Sequence, residues 1–85
     1  MHRNGREPHR KLIVGAGRAA GLEVADLVTA ITRATGLDGE AVRNVRVLER
    51  FSFLEVPASD VPEVLERVNG TQVRGTPLEL EPAAS

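Results

Sequence analysis

Cysteine, tryptophan and tyrosine are absent from this 85-residue sequence, and phenylalanine occurs only twice. The absence of cysteine excludes disulfide bonds and metal sites built on thiolates. No run of about 18 apolar residues occurs, so we expect no transmembrane segment and no membrane partner. The basic N-terminal residues are not followed by an apolar stretch, which argues against a secretory signal. We therefore expect a soluble cytoplasmic protein.

An excess of charge of either sign is also missing, because 11 basic and 12 acidic residues give a formal net charge of -1. Proteins that contact nucleic-acid phosphates are usually basic overall, so the total charge does not indicate such a partner. The distribution along the chain is uneven. Residues 1–50 contain nine basic and six acidic residues, whereas residues 51–85 contain two basic and six acidic residues. This asymmetry is compatible with a basic face on a neutral domain.

The length supports one domain, which we expect at residues 10–82 between a polar linker or tail at 1–9 and a tail at 83–85. Two segments place apolar residues at the i, i+3, i+4 and i+7 positions of a helix: Val24, Leu27, Val28 and Ile31, and then Val61, Val64, Leu65 and Val68. Gly36 and Gly70 follow these segments and predict their ends. Asp60 and Glu63 have the spacing of a capping box at the start of the second helix.

Four other segments, at residues 11–16, 45–49, 51–56 and 77–81, are typical of strands. The middle two are separated by a turn at 49–50 and predict an antiparallel hairpin. The resulting order βαββαβ is that of an α+β ferredoxin-like fold, with both helices on one face of a four-stranded antiparallel sheet. We expect the function on the other face, which is open to solvent.

Side-chain alternation predicts the orientation of the third strand. Ser52, Leu54 and Val56 can fill the core, which places Phe51 and Phe53 on the open face. Two phenylalanines in one strand are more often part of the core, and a register shift of one residue would bury both rings. That shift would also expose the two aliphatic residues, so we favour the outward orientation of the rings.

Exposed aromatic rings suit RNA, because unpaired bases stack on them while arginines hold phosphates. Residues 49–56 resemble the octamer K/R-G-F/Y-G/A-F-V-x-F/Y of the RNA-recognition motif, with Phe51 and Phe53 at the two ring positions. They differ from it at the first, second and last positions. Residues 12–17 occupy the place of the companion hexamer, with Ile13 where an aromatic residue is usual.

As a whole, residues 11–81 resemble the DbpA-type RNA-binding domain at the C-terminus of bacterial DEAD-box RNA helicases. The resemblance rests on Gly17-Arg18 with Gly21-Leu22, on Gly36-Leu37, on residues 50–57, and on Asn69-Gly70 followed by Arg74-Gly75. It implies an RNA-recognition-motif fold without catalytic activity or a cofactor of its own. It also implies that residues 1–9 lead to a helicase core in the same parent chain, where ATP and Mg²⁺ would bind.

The partner implied by the resemblance is structured RNA, such as ribosomal RNA during ribosome biogenesis, and we expect the isolated domain to be monomeric. The predicted RNA-binding residues are Phe51, Phe53, Arg50, Arg46, Arg18, Lys11, Ile13 and Arg74. The basic residues Arg3, Arg6 and Arg10 are expected to add non-specific affinity. Many relatives are basic in the last strand, where this chain has Glu79 and Glu81, so the relatives' RNA targets cannot be transferred to it.

Two alternatives remain open at this point. Residues 15–20 fit the G-x-G-x-x-G/A pattern of dinucleotide-binding proteins, but that fold needs a parallel βαβ unit and a suitably spaced acid. The other alternative is a ferredoxin-like domain for protein–protein contact or small-ligand sensing, with an apolar surface of Ile13, Leu48, Phe51 and Phe53. Added salt separates this reading from ours, because it weakens arginine–phosphate binding but not hydrophobic association.

Overall fold

A computed structural model describes residues 8–83 of the protein. Its elements are β1 (His9–Val14), α1 (Val24–Thr35), β2 (Arg43–Val47), β3 (Ser52–Pro57), α2 (Val61–Val68), β4 (Gln72–Val73), β5 (Thr76–Pro77) and β6 (Leu80–Pro82). The main elements therefore follow the predicted βαββαβ order. The two-residue strands β4 and β5 form an additional hairpin between α2 and the last strand. The first strand begins at His9, one residue before the expected domain boundary.

The other four strands form one antiparallel sheet in the order β2-β3-β1-β6. The last strand differs from the prediction for residues 77–81, because it begins only at Leu80. Leu78 donates its N–H to Thr71 O and accepts a hydrogen bond from Gly70 N–H. Its backbone is thus paired with the segment after α2, so the sheet-forming strand starts later.

The core lies between one face of the sheet and the two helices. The residues of the sheet that are fully buried there include Leu12, Val14, Leu54 and Val56, and the helices contribute Leu27, Ile31, Val64 and Val68. This confirms the predicted α+β fold and the inward-facing positions of β1 and β3. Burial of such side chains contributes about 1.5–3 kcal/mol each. Within residues 8–83, neither helix has the length and apolar composition needed to cross a membrane.

The helices begin at Val24 and Val61, the first residues of the two predicted apolar patterns, but their capping differs from the prediction. The capping box belongs to α1, where Glu23 accepts a hydrogen bond from the Asp26 N–H and donates its own N–H to Asp26 Oδ2 at 2.9 Å. The capping box predicted at Asp60 and Glu63 is wrong, because Ala58–Asp60 already form a 3-10 turn and Asp60 makes no side-chain capping bond. Asp60 has helical backbone angles there, whereas a capping residue usually has extended ones.

Candidate nucleic-acid interface

The open face of the sheet carries a row of side chains that crosses all four strands. Phe53 lies opposite Arg46 of β2 on one side and opposite Ile13 of β1 on the other. Ile13 in turn lies opposite Glu81 of β6. Directly opposite residues of antiparallel strands share a face, with Cβ atoms about 5 Å apart. The row therefore places an arginine at one edge of the sheet, two apolar side chains at its centre and a glutamate at the other edge.

The two phenylalanine rings lie next to each other on this face. Their centroids are 5.3 Å apart and their planes are 86° from parallel, which is an edge-to-face arrangement. Phe51 retains 41% of its surface exposed, whereas Phe53 is half-buried. Lys11 Nζ lies 5.1 Å from the centroid of Phe53, within the range of a cation–π contact. Phe51 therefore presents the more accessible ring, and Phe53 supports it.

Ser52 explains why both rings can point away from the core. Ser52 stands between the two phenylalanines in the sequence and is fully buried. Its hydroxyl donates a 2.7 Å hydrogen bond to Ala16 O. A buried hydroxyl with a partner avoids the cost of an unmade hydrogen bond. The structure thus agrees with the predicted outward orientation of Phe51 and Phe53, and a register shift of one residue would break the Ser52 contact.

A second row on the open face contains Arg43, which the sequence did not indicate. Arg43 lies opposite Glu55, which lies opposite Lys11 on its other side. The pairing of β2 with β3 shifts by one residue between Arg43 and Arg46, and Asn44 has a positive φ of 52° within this bulge. The extra residue brings both arginines to the same face, although three positions separate them. Asparagine tolerates positive φ, so it was the one sequence signal for this bulge.

Asn44 also connects the bulge to the charges of the second row. Its Nδ2 donates a hydrogen bond to Glu55 Oε1 at 3.0 Å. Since Glu55 has Arg43 opposite it on one side and Lys11 on the other, its negative charge is offset by two positive charges on neighbouring strands. The centre of the open face is therefore apolar and flanked by positive charge on its β2 side.

The loop after β1 is fixed against the turn between β2 and β3. Arg18 donates its N–H to Leu48 O at 2.8 Å, and Ala19 donates its N–H to Glu49 O at 2.9 Å. A guanidinium N–H of Arg18 also bonds Val47 O at 2.9 Å. Arg18 is thus held beside the turn that contains Arg50, and both side chains are exposed. An arginine has five N–H donors, so Arg18 keeps others for a ligand.

These contacts also exclude the dinucleotide-binding alternative for residues 15–20. A pyrophosphate in that motif is bound by the free N–H groups at the start of a helix that follows a parallel strand. Here the Arg18 and Ala19 N–H groups are already bonded to carbonyls, and the loop follows a strand of an antiparallel sheet. A Cβ on Gly17 would lie 2.1 Å from Leu48 O, so this glycine serves the close approach of two loops.

Arg74 lies apart from the other predicted RNA-binding residues. It occupies the turn between β4 and β5 with a positive φ of 53°. Its Nε forms an ion pair of 2.9 Å with Asp26 Oδ2 at the start of α1. The hydrogen bond from Arg74 and that between Asp26 and Glu23 hold the pKa of the Asp26 carboxyl below its ordinary value. The structure therefore brings seven of the eight residues to the sheet face and its adjoining loops, and gives Arg74 a contact with the helix layer.

Of the three basic N-terminal residues expected to add non-specific affinity, Arg10 lies within residues 8–83. Arg3 and Arg6 lie outside the described residues. Arg10 lies opposite Val56, a core residue, so its position in β1 belongs to the helix side of the sheet. Arg10 consequently does not add to the positive charge of the open face.

Two larger hollows lie away from the aromatic rings. One of about 480 Å³ separates α1 from β4 and is lined mainly by alanine and threonine. The other, of about 580 Å³, lies where the start of β1 meets α2. Neither contains Phe51, Phe53 or Arg46. Among the described residues, no group of three or more histidine, cysteine, aspartate or glutamate side chains could hold a metal ion.

A four-stranded antiparallel sheet, two helices on one face and aromatic and basic side chains on the other define a domain of the RNA-recognition-motif type. The family comparison agrees with this assignment. Residues 11–82 match the model of the DbpA RNA binding domain, and the chain belongs to that family. The family is one of binding domains and not of enzymes. No curated protein matches the sequence at a significant level.

Solved structures of similar fold include RNA-binding proteins. The RNA binding protein PG1 superimposes with a TM-score of 0.70 at 19% identity, over 89% of this chain and 95% of that one. A chain of the Mex67:Mtr2 complex of Chaetomium thermophilum gives 0.68 at 17% identity, over 92% and 96%. The first two RRM domains of yeast poly(U) binding protein (Pub1) give 0.68 at 14% identity, over 100% of this chain and 53% of that one. At these identities the similarity shows the fold.

Proposed function

We propose that this domain binds unpaired segments of structured RNA on its open sheet face and tethers a DEAD-box RNA helicase core to that RNA. The observation that carries the proposal is the exposed ring of Phe51, which lies against Phe53 on a face that also presents Lys11 and Arg46. Stacking of a base on an aromatic ring contributes about 1–3 kcal/mol.

In the proposed complex, a base stacks on Phe51, and Phe53 with Ile13 forms the apolar surface next to it. Arg46, Arg50 and Arg18 are placed around this surface by β2, by the β2–β3 turn and by the loop bonded to that turn. Their guanidinium groups neutralise phosphates, and Lys11 leaves the Phe53 ring for a phosphate when a second base stacks there.

Membership of the DbpA RNA binding domain family supports an RNA partner, and the resemblance to helicase C-termini is the reason for proposing a helicase core as the neighbour. Ribosomal RNA as the target and the bacterial cytoplasm as the location belong to the same proposal. The parent helicase would hydrolyse ATP, whereas this domain would provide affinity for the RNA.

The rival function, a surface for protein–protein contact, needs a continuous exposed apolar patch. Of the large apolar side chains in residues 8–83, only Val24 and Phe51 count as exposed, and they lie on opposite layers of the domain. Ile13, Leu48 and Phe53 are half-buried and have charged neighbours. The open face is therefore better suited to a polar, charged ligand with flat apolar groups.

The test is a fluorescence-anisotropy titration with a structured ribosomal-type RNA and a single-stranded RNA, each at two salt concentrations. Phe51→Ala should weaken binding by about 1–3 kcal/mol, and added salt should weaken the binding of the unmodified domain. Val24→Ala is the matched control, because it truncates a similarly exposed apolar side chain on α1. Absence of binding to both RNAs by the folded domain would refute the proposal and favour a protein partner.

The tether is tested separately in the parent protein, with and without residues 9–83. We expect removal of the domain to raise the concentration of structured RNA that half-maximally stimulates ATP hydrolysis. The maximal rate at saturating RNA should change little, because the ATP-binding residues lie in the core. An unchanged RNA requirement would show that the domain does not tether the core to RNA.

A further inference from the structure

We propose that the RNA footprint ends at β1, because Glu79 and Glu81 keep the phosphate backbone away from the β6 edge of the sheet. This inference rests on the proposed function and adds the direction and the length of the bound segment. The role of Glu79 and Glu81 is to repel the RNA phosphates from this edge of the sheet.

The register of the open face places opposite charges at the two edges of the sheet. The row through Phe53 runs from Arg46 at the β2 edge, across Ile13, to Glu81 at the β6 edge. Its two ends have opposite charge, and within residues 8–83 the carboxylates of Glu79 and Glu81 form no hydrogen bond or ion pair. Phosphates are attracted to the β2 end and repelled from the β6 end. The row thus has a defined direction for a polyanion.

The surface next to Ile13 is bordered by acidic side chains. A shallow hollow of about 150 Å³ beside Ile13 and Gly15 is bordered by both glutamates. Glu79 accepts a 2.9 Å hydrogen bond from Gly15 N–H through its main-chain carbonyl, which fixes it next to the end of β1. A nucleotide placed beyond Ile13 would bring its phosphate within a few ångströms of two carboxylates. Charges at that separation are screened little by physiological salt.

The positive charges lie toward the opposite edge of the sheet. Arg43 and Arg46 belong to the β2 edge, and Arg18 is bonded to the residues that end β2. Glu55, the acidic residue at the centre of the face, has Arg43 and Lys11 opposite it, whereas Glu81 has Ile13 opposite it. Among the paired strand residues of the open face, the acidic charge without a basic residue opposite it therefore lies on β6.

Adjacent strands are about 4.8 Å apart, so loss of β6 shortens the usable width of the sheet by roughly a third. An RNA-recognition motif stacks two or three bases on its aromatic positions. With Ile13 in place of one ring and with β6 repulsive, the face has room for about two nucleotides.

The experiment measures affinity for fluorescein-labelled oligouridylates of three, six and nine nucleotides at low salt. Affinity of the unmodified domain should rise little with length, whereas the double variant Glu79→Gln, Glu81→Gln should bind the nine-nucleotide RNA about three- to tenfold more tightly. Glu66→Gln is the control, because it removes one exposed charge from α2 on the other layer of the domain.

The outcomes separate this inference from the proposed function. If the unmodified domain binds and the double variant has the same length dependence, the acidic edge does not limit the footprint and the inference is wrong. If the Glu66→Gln control gains as much affinity as the double variant, the effect is one of net charge, which also overturns it. If no oligonucleotide and no structured RNA binds, the proposed function fails.

Discussion

Ser52 and Gly17 show how single residues prepare the open face. The Ser52 hydroxyl holds the end of β1 through Ala16 O, and it fixes the register in which the neighbouring rings point outward. Gly17 lets the loop after β1 contact the β2–β3 turn, where Arg18 and Arg50 lie. Neither residue needs to touch a ligand, yet both determine where the proposed ligand-binding side chains lie.

Substitution of the buried hydroxyl should reduce stability. Ser52→Ala leaves Ala16 O without its hydrogen bond in the core, so we expect a loss of about 1–3 kcal/mol in the free energy of unfolding. Denaturant unfolding followed by circular dichroism measures it. Thr29→Ala, at an exposed position of α1, should change the value by less than about 0.5 kcal/mol. Equal stability of the two variants would show that the Ser52 contact is not needed.

A side chain at the close contact of the two loops should be costly. Gly17→Ala places a Cβ 2.1 Å from Leu48 O and 2.9 Å from Glu49 O, so the loops must separate. We expect a loss of at least about 2 kcal/mol of unfolding free energy in a denaturation experiment. Gly39→Ala is the matched control, because its Cβ would meet only Val28 Cγ1 at an ordinary 3.7 Å. A Gly17→Ala domain as stable as the control would contradict this role.

The sequence predicts most of the side-chain orientations on the sheet, because the alternation along β1 and β3 indicates which residues face the core. It predicts Phe51 and Phe53 outward and Ser52 inward for that reason. It does not predict that Arg43 lies on the open face, because strict alternation places Arg43 and Arg46 on opposite faces of the sheet. Only the bulge at Asn44 brings them together, and bulges follow from the pairing of two strands and not from one strand's pattern.

At the scale of elements, the β4–β5 hairpin is the main feature that the sequence pattern does not indicate. Each of its strands has two residues, too short for a detectable period. The hairpin is joined to α1 by the ion pair between Arg74 and Asp26, two residues separated by 48 positions. Such a long-range contact cannot be inferred from local spacing, and it directs Arg74 toward the helix layer.

This ion pair predicts a pH dependence. The pKa of Asp26 is lower in the folded protein than in the unfolded chain, so the contact stabilises the fold above the unfolded pKa near 3.8 and is lost as the pH falls through the folded value. NMR titration of the carboxyl carbons should show the pKa of Asp26 rising in Arg74→Gln. An unchanged Asp26 pKa in that variant would contradict the ion pair, whereas Arg67→Gln, which removes a different exposed ion pair, serves as the control.

The same placement predicts how Arg74 and Arg46 differ in RNA binding. Arg46→Gln removes a charge from the row that contains Phe53, so we expect weaker binding and a shallower salt dependence, by up to about 0.7 in the log–log slope. Arg74→Gln removes the same charge from the helix side and should change affinity less than Arg46→Gln does. Anisotropy titrations at four salt concentrations measure both slopes. A larger loss for Arg74→Gln would move the interface toward the β4–β5 hairpin.

At the scale of the whole molecule, the positions of the charged residues say more about a ligand than the net charge does. The formal net charge of -1 conceals a sheet with arginines at its β2 edge and glutamates at its β6 edge. The acidic residues of α2 contribute to the net charge but lie on the helix layer. Glu63, for example, forms an ion pair with Arg67 on the exposed surface of that helix. A nearly neutral domain can therefore present a local positive field to RNA.

The central claim is that the open face, and not the helix layer, binds RNA. Its most direct test is a titration of the ¹⁵N-labelled domain with a short single-stranded RNA, followed by amide chemical shifts. We expect the largest changes at Lys11–Ile13 of β1, at Arg46 and in residues 50–53, with small changes along α1 and α2. Changes concentrated on α1, α2 or the β4–β5 hairpin would contradict the account and place the RNA on the other layer of the fold.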